Sequence, residues 1–98
     1  MFIDRPDAGR YEMVIDGVVA GHVRYRREGT RTDLAYLEID PTRRGHGLGA
    51  RLAAALLDVE RAAGHTVVPM CSFIARYIAE HPEYADLVDE TARRAVSD

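Results

Sequence analysis

From Tyr11 to Ile39 apolar and polar residues alternate in short runs broken by turn-formers, the period-two signature of strands. Tyr11-Glu12-Met13-Val14-Ile15 is the first such run, after a turn-like Asp7-Ala8-Gly9-Arg10. Asp16-Gly17 predicts a type I′ hairpin, because both central positions of that turn need positive φ. Val18 to Arg26 is the returning strand, with Val19, Gly21, Val23 and Tyr25 on one face and Ala20, His22, Arg24 and Arg26 on the other. Arg27-Glu28-Gly29 turns the chain again. A third strand, Thr32 to Ile39, sets Leu37 and Ile39 opposite Tyr36 and Glu38. The pattern is that of an antiparallel meander.

Past residue 47 the period changes. Leu48, Leu52, Leu56, Val59 and Ala63, thickened by Ala55, fall on one helical stripe, and Gly64 suits the position just beyond a helix end. Thr66-Val67-Val68-Pro69-Met70 reads as a short buried strand. The strand, helix and strand from Leu34 to Met70 then form a crossover that lays the last strand parallel to the third. Ser72 is placed to cap a short helix from Phe73 to about Glu80 with Ile74 and Ile78 inward, and Pro82 to open another, Pro82 to Val88. The polar stretch from Asp89 to Asp98 has weak helical character. The expected fold is α/β (α+β): a mixed sheet, antiparallel meander followed by a βαβ crossover, with helices covering the sheet.

Ninety-eight residues, 47% hydrophobic and 30% charged, make one ordinary domain, 1–98. The formal charge of −3 argues against a nucleic-acid partner. Cys71 stands alone, so no internal disulfide forms. No apolar run approaches a membrane span, and Met1 to Pro6 lacks the apolar stretch of a signal peptide. A cytoplasmic protein with no membrane partner is expected.

The stretch that carries chemistry is Ile39-Asp40-Pro41-Thr42-Arg43-Arg44-Gly45-His46-Gly47-Leu48-Gly49-Ala50. It joins a strand end to a helix start through a basic, glycine-rich turn. A helix start presents N–H groups without intrahelical partners at the positive end of the macrodipole, and glycines let an anion come close. A phosphate or diphosphate is the ligand this suits. The Gly45-x-Gly47-x-x-Ala50 spacing also fits a relaxed dinucleotide fingerprint. That reading fails because the turn follows a meander and no acidic ribose partner stands about twenty positions on. A Walker A loop is excluded by the absence of Gly-Lys-Ser/Thr.

The spacing Arg44-x-x-Gly47-x-Gly49 at a helix entry resembles the coenzyme A signature, Gln/Arg-x-x-Gly-x-Gly/Ala, of the GCN5-related N-acetyltransferases. The Ile39-Asp40-Pro41 strand exit is similar to that family's as well. Val68-Pro69-Met70-Cys71-Ser72-Phe73-Ile74, with Tyr77-Ile78 and His81-Pro82-Glu83-Tyr84, resembles the second motif of its small, compact members. The two motifs span about 34–84. The resemblance implies acetyl-CoA as cofactor, held by Ile39, Arg44, Gly45, His46, Gly47, Leu48, Gly49 and Ala50, with the strand Leu34 to Ile39 beside the pantetheine arm. It implies an N-acetyltransferase moving an acetyl group to a primary amine on a small molecule or a protein. A non-catalytic acyl-CoA-binding or sensing module is the alternative. The elements that wall the acceptor site in longer members are missing here, which leaves the acceptor and the oligomeric state open.

Two residues are candidates for the chemistry. Cys71, between a strand end and a helix start, either carries a transient acyl group or lines the cleft to which the resemblance assigns the thioester; a helix dipole there would favour its thiolate. Glu38 is the candidate base for the attacking amine, unless its side chain faces solvent or pairs with Arg24. Tyr77 corresponds loosely to a tyrosine acid of larger members and is assigned to packing. His46 contributes its backbone N–H. His22, His65 and His81 show no metal-ligand spacing, and His81 and Tyr84 are expected to hold the last turn.

Overall fold

The computed structural model describes residues 1–90. Five strands form one sheet in the order β1 (Phe2–Arg5), β2 (Arg10–Ile15), β3 (Val18–Glu28), β4 (Arg31–Ile39) and β5 (Thr66–Pro69). The first four are antiparallel, and β5 lies parallel to β4 after the crossover helix α1 (Leu48–Ala62). A shorter helix, α2 (Ser72–Glu80), and a 3-10 turn over Pro82–Leu87 close the described chain. The turn takes the place of the expected helix at Pro82 to Val88. Residues 91–98 of the expected polar tail lie outside the described residues.

Asp16 and Gly17 both take positive φ, 52° and 76°, so the first hairpin turns as its sequence predicts. Strand β1 has no counterpart among the expected elements. Its only apolar residues are Phe2 and Ile3, and it is held by pairing to β2 rather than by a pattern of its own.

Two register shifts decide which side chains face the helix. On β3, Met13 pairs with Gly21 but Val14 with Val19, leaving Ala20 as the extra residue. The slip reverses the alternation. Ala20 is therefore fully buried while Val19, expected beside Val23, is 39% exposed. On β4, Arg24 faces Tyr36 but Tyr25 faces Leu34, leaving Ala35 extra. Thus Thr32 and Leu34 are buried before the bulge, and Leu37 and Ile39 pack on the core after it.

The buried face of α1 comprises Leu48, Gly49, Leu52, Ala53, Leu56, Leu57 and Glu60. The stripe read from sequence agrees as far as Leu56 and then departs, since Val59 and Ala63 are exposed. The face turns toward Leu57 because a carboxylate occupies the next buried position. Glu60 accepts hydrogen bonds from Tyr11 Oη at 2.5 Å, Arg27 at 2.7 Å and Thr32 Oγ1 at 2.9 Å, and His65 Nδ1 lies 2.7 Å away. One side chain thereby ties α1 to β2, β3 and β4. Gly64, at φ 75°, lies just past the helix end as expected.

Ile74 and Ile78 of α2 point inward, as their spacing predicts. Its N-cap is Cys71 and no side chain caps it, so Ser72 is the first helical residue instead of the cap. The last turn is held by Tyr84, whose hydroxyl donates to Asp58 at 2.8 Å, and by His81, whose Nδ1 lies 2.8 Å from the Tyr77 carbonyl. No helix of the described residues is long and apolar enough to cross a membrane.

Candidate functional site

Pairing of β5 with β4 ends at Leu34, whose carbonyl accepts from both Met70 N at 3.0 Å and Cys71 N at 3.1 Å. The Ala35 bulge follows immediately on β4. A bulge bends its strand and increases local twist, and beyond it the β5 segment gives way to α2. A cleft of about 380 Å³ opens here, walled by Tyr36, Leu37, Glu38 and Ile39 of β4, by Arg43 to Ala50 without His46, and by Phe73 of α2.

The elbow at one end of the cleft is a basic, glycine-rich turn that leads into the start of α1. Asp40 Oδ1 accepts from Thr42 N and Thr42 Oγ1, which folds Pro41–Arg43 into a 3-10 turn. Gly45 and Gly47 then take φ of 85° and 74°, a region that costs other residues roughly 1–2 kcal/mol. Gly47 is the N-cap of α1, which has no side-chain cap and no acidic residue in its first turn. The first-turn N–H groups have no intrahelical acceptor by geometry, and no carboxylate of that turn competes for them. A Cβ placed on Gly45 or Gly47 would meet nothing within 4 Å, so the space in front is open. Arg44 is exposed, and its Nε reaches back to the Ile39 carbonyl at 3.4 Å, which keeps its charge beside the elbow.

Gly49 serves a different purpose from the two before it. It is helical, and a Cβ there would lie 2.9 Å from Phe73 Cζ. The glycine admits the ring that forms the far wall. Alanine's helix propensity, worth about 1 kcal/mol over glycine, is expected to emerge for Gly49→Ala only when Phe73 is trimmed to leucine. Denaturation of both single variants and the double variant checks this coupling.

The candidate binding residues are thus brought together on the elbow, apart from the ring of His46, which is exposed and outside the cleft walls. Glu38 stands on the wall. Its partner is Tyr36, whose hydroxyl donates to Glu38 Oε2 at 3.0 Å, in place of the anticipated Arg24. Cys71 is half-buried at the head of α2, packed against the core beside the cleft rather than among its walls, and within electrostatic reach of Tyr36. Tyr77 stacks on His81 at 3.9 Å, in keeping with packing. Sequence reasoning misses Tyr36, Leu37, Arg43 and Phe73 as walls. Tyr36 is detectable as the same-face neighbour of Glu38, two residues away on a strand. Phe73 is detectable as a large apolar residue out of phase with Ile74 and Ile78.

The site thus sets an uncapped helix start beside the outer half of β4, which has no strand neighbour on the cleft side, in a mixed sheet. The family model described as GCN5-related N-acetyl-transferase matches residues 10–87, and the chain belongs to that family of acetyltransferases. The solution structure of a GCN5-like protein from Staphylococcus aureus superposes with a TM-score of 0.69, covering 91% of this chain and 87% of that one at 14% identity. That likeness bears on the fold. No curated protein matches the chain.

Proposed function

We propose that the chain transfers an acetyl group from acetyl-CoA to a primary amine. The observation that carries this reading is the open elbow: uncapped N–H groups of α1, two glycines at positive φ with free space before them, and Arg43 and Arg44 alongside. The diphosphate of coenzyme A sits at that elbow, on Arg44, Gly45, Gly47, Leu48, Gly49 and Ala50 and on the backbone N–H of His46. The pantetheine arm runs back past Ile39 along β4, whose outer half has no strand neighbour on the cleft side. This direction sets the thioester toward Tyr36 and the head of α2.

Direct transfer needs a base for the amine proton, and Glu38 is the carboxylate on the cleft wall. A transfer through Cys71 is the second route: its sulfur displaces CoA to give an acyl-enzyme, which the amine then attacks. Cys71 is half-buried at the head of α2, beside the cleft and within electrostatic reach of Tyr36.

Titration calorimetry with acetyl-CoA, followed by release of free CoA across a panel of amines, peptides and polyamines, tests the reading. Binding with release identifies the enzyme, and binding without release identifies a sensing module. The chain contains no lysine, so a stable acetyl adduct seen by intact mass has few places to reside. An adduct lost in Cys71→Ala is the expected result for the acyl-enzyme route, and an unmodified wild type restricts Cys71 to lining.

A further inference from the structure

The side of the sheet turned away from the core carries a row of like charges. The register sets Arg5 opposite Arg10, Arg10 opposite Arg24, and Arg24 opposite Tyr36, and residues directly opposite one another share a face. The row crosses β1, β2 and β3 and ends at the wall of the cleft. Like charges placed directly opposite destabilise a sheet, so stability does not account for the arrangement. One carboxylate compensates part of it. Glu12, buried on the same face, accepts from Arg5 Nε through Oε1 and from Arg10 Nε through Oε2, each at 2.6 Å. Both of its oxygens are thereby taken. The guanidinium of Arg24 is exposed and has no hydrogen-bond or ion-pair partner among the described residues. Arg26, two residues further on that face, is exposed as well, and Asp33 across from it is engaged by Arg31 at 3.2 Å.

The cleft end of this face has the opposite sign. Glu38 is exposed there, and with His22 and Asp40 it borders a second hollow of about 260 Å³. From this two-signed pattern, and resting on the acetyl-transfer reading above, we infer that the outer sheet face docks the acceptor, and that the acceptor is a lysine within an acidic protein segment. The lysine enters at the acidic end beside Glu38. Acidic side chains near it in the segment lie over Arg24, Arg10 and Arg5.

The dimensions agree. Strands lie about 4.8 Å apart, which puts Arg5 about 14 Å from Tyr36 along the row. An extended segment crossing the strands advances about 3.3 Å per residue and turns alternate side chains to one side. The second and fourth residues from the lysine then come about 7 and 13 Å along the row, within reach of long arginine side chains. A small amine would use the acidic end and leave the arginines idle. A polynucleotide offers no aliphatic amine to the thioester, and its phosphates would meet Glu38 and Asp40 at the cleft. An acidic segment with a lysine satisfies both ends.

Binding is measured by fluorescence anisotropy with labelled peptides, Gly-Lys-Gly-Glu-Gly-Glu and its reverse order, which sample both chain directions. Wild type is expected to bind one of them about tenfold more tightly than the same peptide with glutamine for glutamate, and to lose that preference as salt is raised. Arg24→Glu is expected to abolish the preference and to favour the peptide with arginine in place of glutamate. Rescue by reversing the ligand's charge is a result that a merely structural role would not give. Acetyl transfer is read on the peptide after addition of acetyl-CoA, and acetyl-lysine found in the mixture belongs to the peptide because the chain contains no lysine. Equal affinity for the glutamate and glutamine peptides, a preference indifferent to Arg24→Glu, or tighter binding of a single-stranded oligonucleotide than of the acidic peptide each overturns the docking surface. In each of these cases acetylation of either peptide leaves the acetyl-transfer reading standing. Absence of any binding heat for acetyl-CoA overturns that reading, and the acceptor role of the face falls with it.

Discussion

Gly47→Glu is expected to weaken acetyl-CoA binding about a hundredfold. The new carboxylate stands at the N-cap of α1, in the open space where the diphosphate is proposed to sit. A like charge placed against a bound group costs several kcal/mol, and roughly 3 kcal/mol is about two decades in Kd. The carboxylate also accepts from the first-turn N–H groups itself, as an N-cap side chain does. Substitution at φ 74° adds strain that has nothing to do with charge. Gly47→Asn separates the two effects, because asparagine tolerates the left-handed region and carries no charge. Its affinity is expected to lie much closer to wild type than to Gly47→Glu. The site is exposed, so wild-type affinity should fall as salt is raised. Calorimetry on all three proteins decides the matter. Equal affinity for wild type and Gly47→Glu would mean that the diphosphate lies elsewhere.

The elbow is legible in the sequence because its information is local. Two of its glycines are required by backbone angle, the arginines by charge, and all lie within a dozen consecutive residues. The parts that are not legible depend on events elsewhere in the chain. Nothing in Leu34-Ala35-Tyr36 announces a bulge, yet the bulge at Ala35 turns Leu37 and Ile39 inward and precedes the gap that becomes the cleft. The slip at Ala20 likewise exposes Val19, which simple alternation puts on the buried face. Strand β1 leaves no mark in the pattern because pairing, rather than periodicity, defines an edge strand of four residues. The wall residue Phe73 reads only as the first residue of a short helix whose inward positions are Ile74 and Ile78. Its place is explained by Gly49, twenty-four positions earlier, which leaves room for the ring.

Glu60 is the case where hydrophobic patterning points the wrong way, and it yields the largest expected effect on stability. A stripe drawn from apolar residues passes to Val59 and avoids the carboxylate, but Glu60 is the fully buried residue and Val59 is 38% exposed. Burial by itself would raise the Glu60 pKa. The hydrogen bonds from Tyr11, Arg27, Thr32 and His65 outweigh that and hold it below the usual carboxylate range. Glu60→Leu leaves Arg27 facing the Tyr11 and Thr32 hydroxyls with its counter-charge gone. Breaking a buried pair from one side costs about 3–5 kcal/mol, a large part of the roughly 5–15 kcal/mol that holds a domain together. Chemical denaturation should show that loss, and Glu60→Leu with Arg27→Leu should recover part of it, since the stranded cation goes too. If the double variant is no more stable than the single, the cost lies in packing instead of charge. The pH dependence follows from the direction of the shift. With the folded pKa below the unfolded one, the unfolded chain binds more protons between the two values, so stability rises with pH there. The Glu60 contribution is fully present above the unfolded carboxylate value, about 4.3, and is lost as pH falls through the lower folded value. Glu12, held low by Arg5 against its own burial and further by Arg10, acts in the same direction. Stability measured down the acid limb should therefore fall less steeply in Glu60→Leu than in wild type. The same carboxylate fixes α1 against three strands, and through that helix it holds the elbow at the mouth of the cleft. Loss of Glu60 is thus expected to loosen acetyl-CoA binding even where most of the chain remains folded.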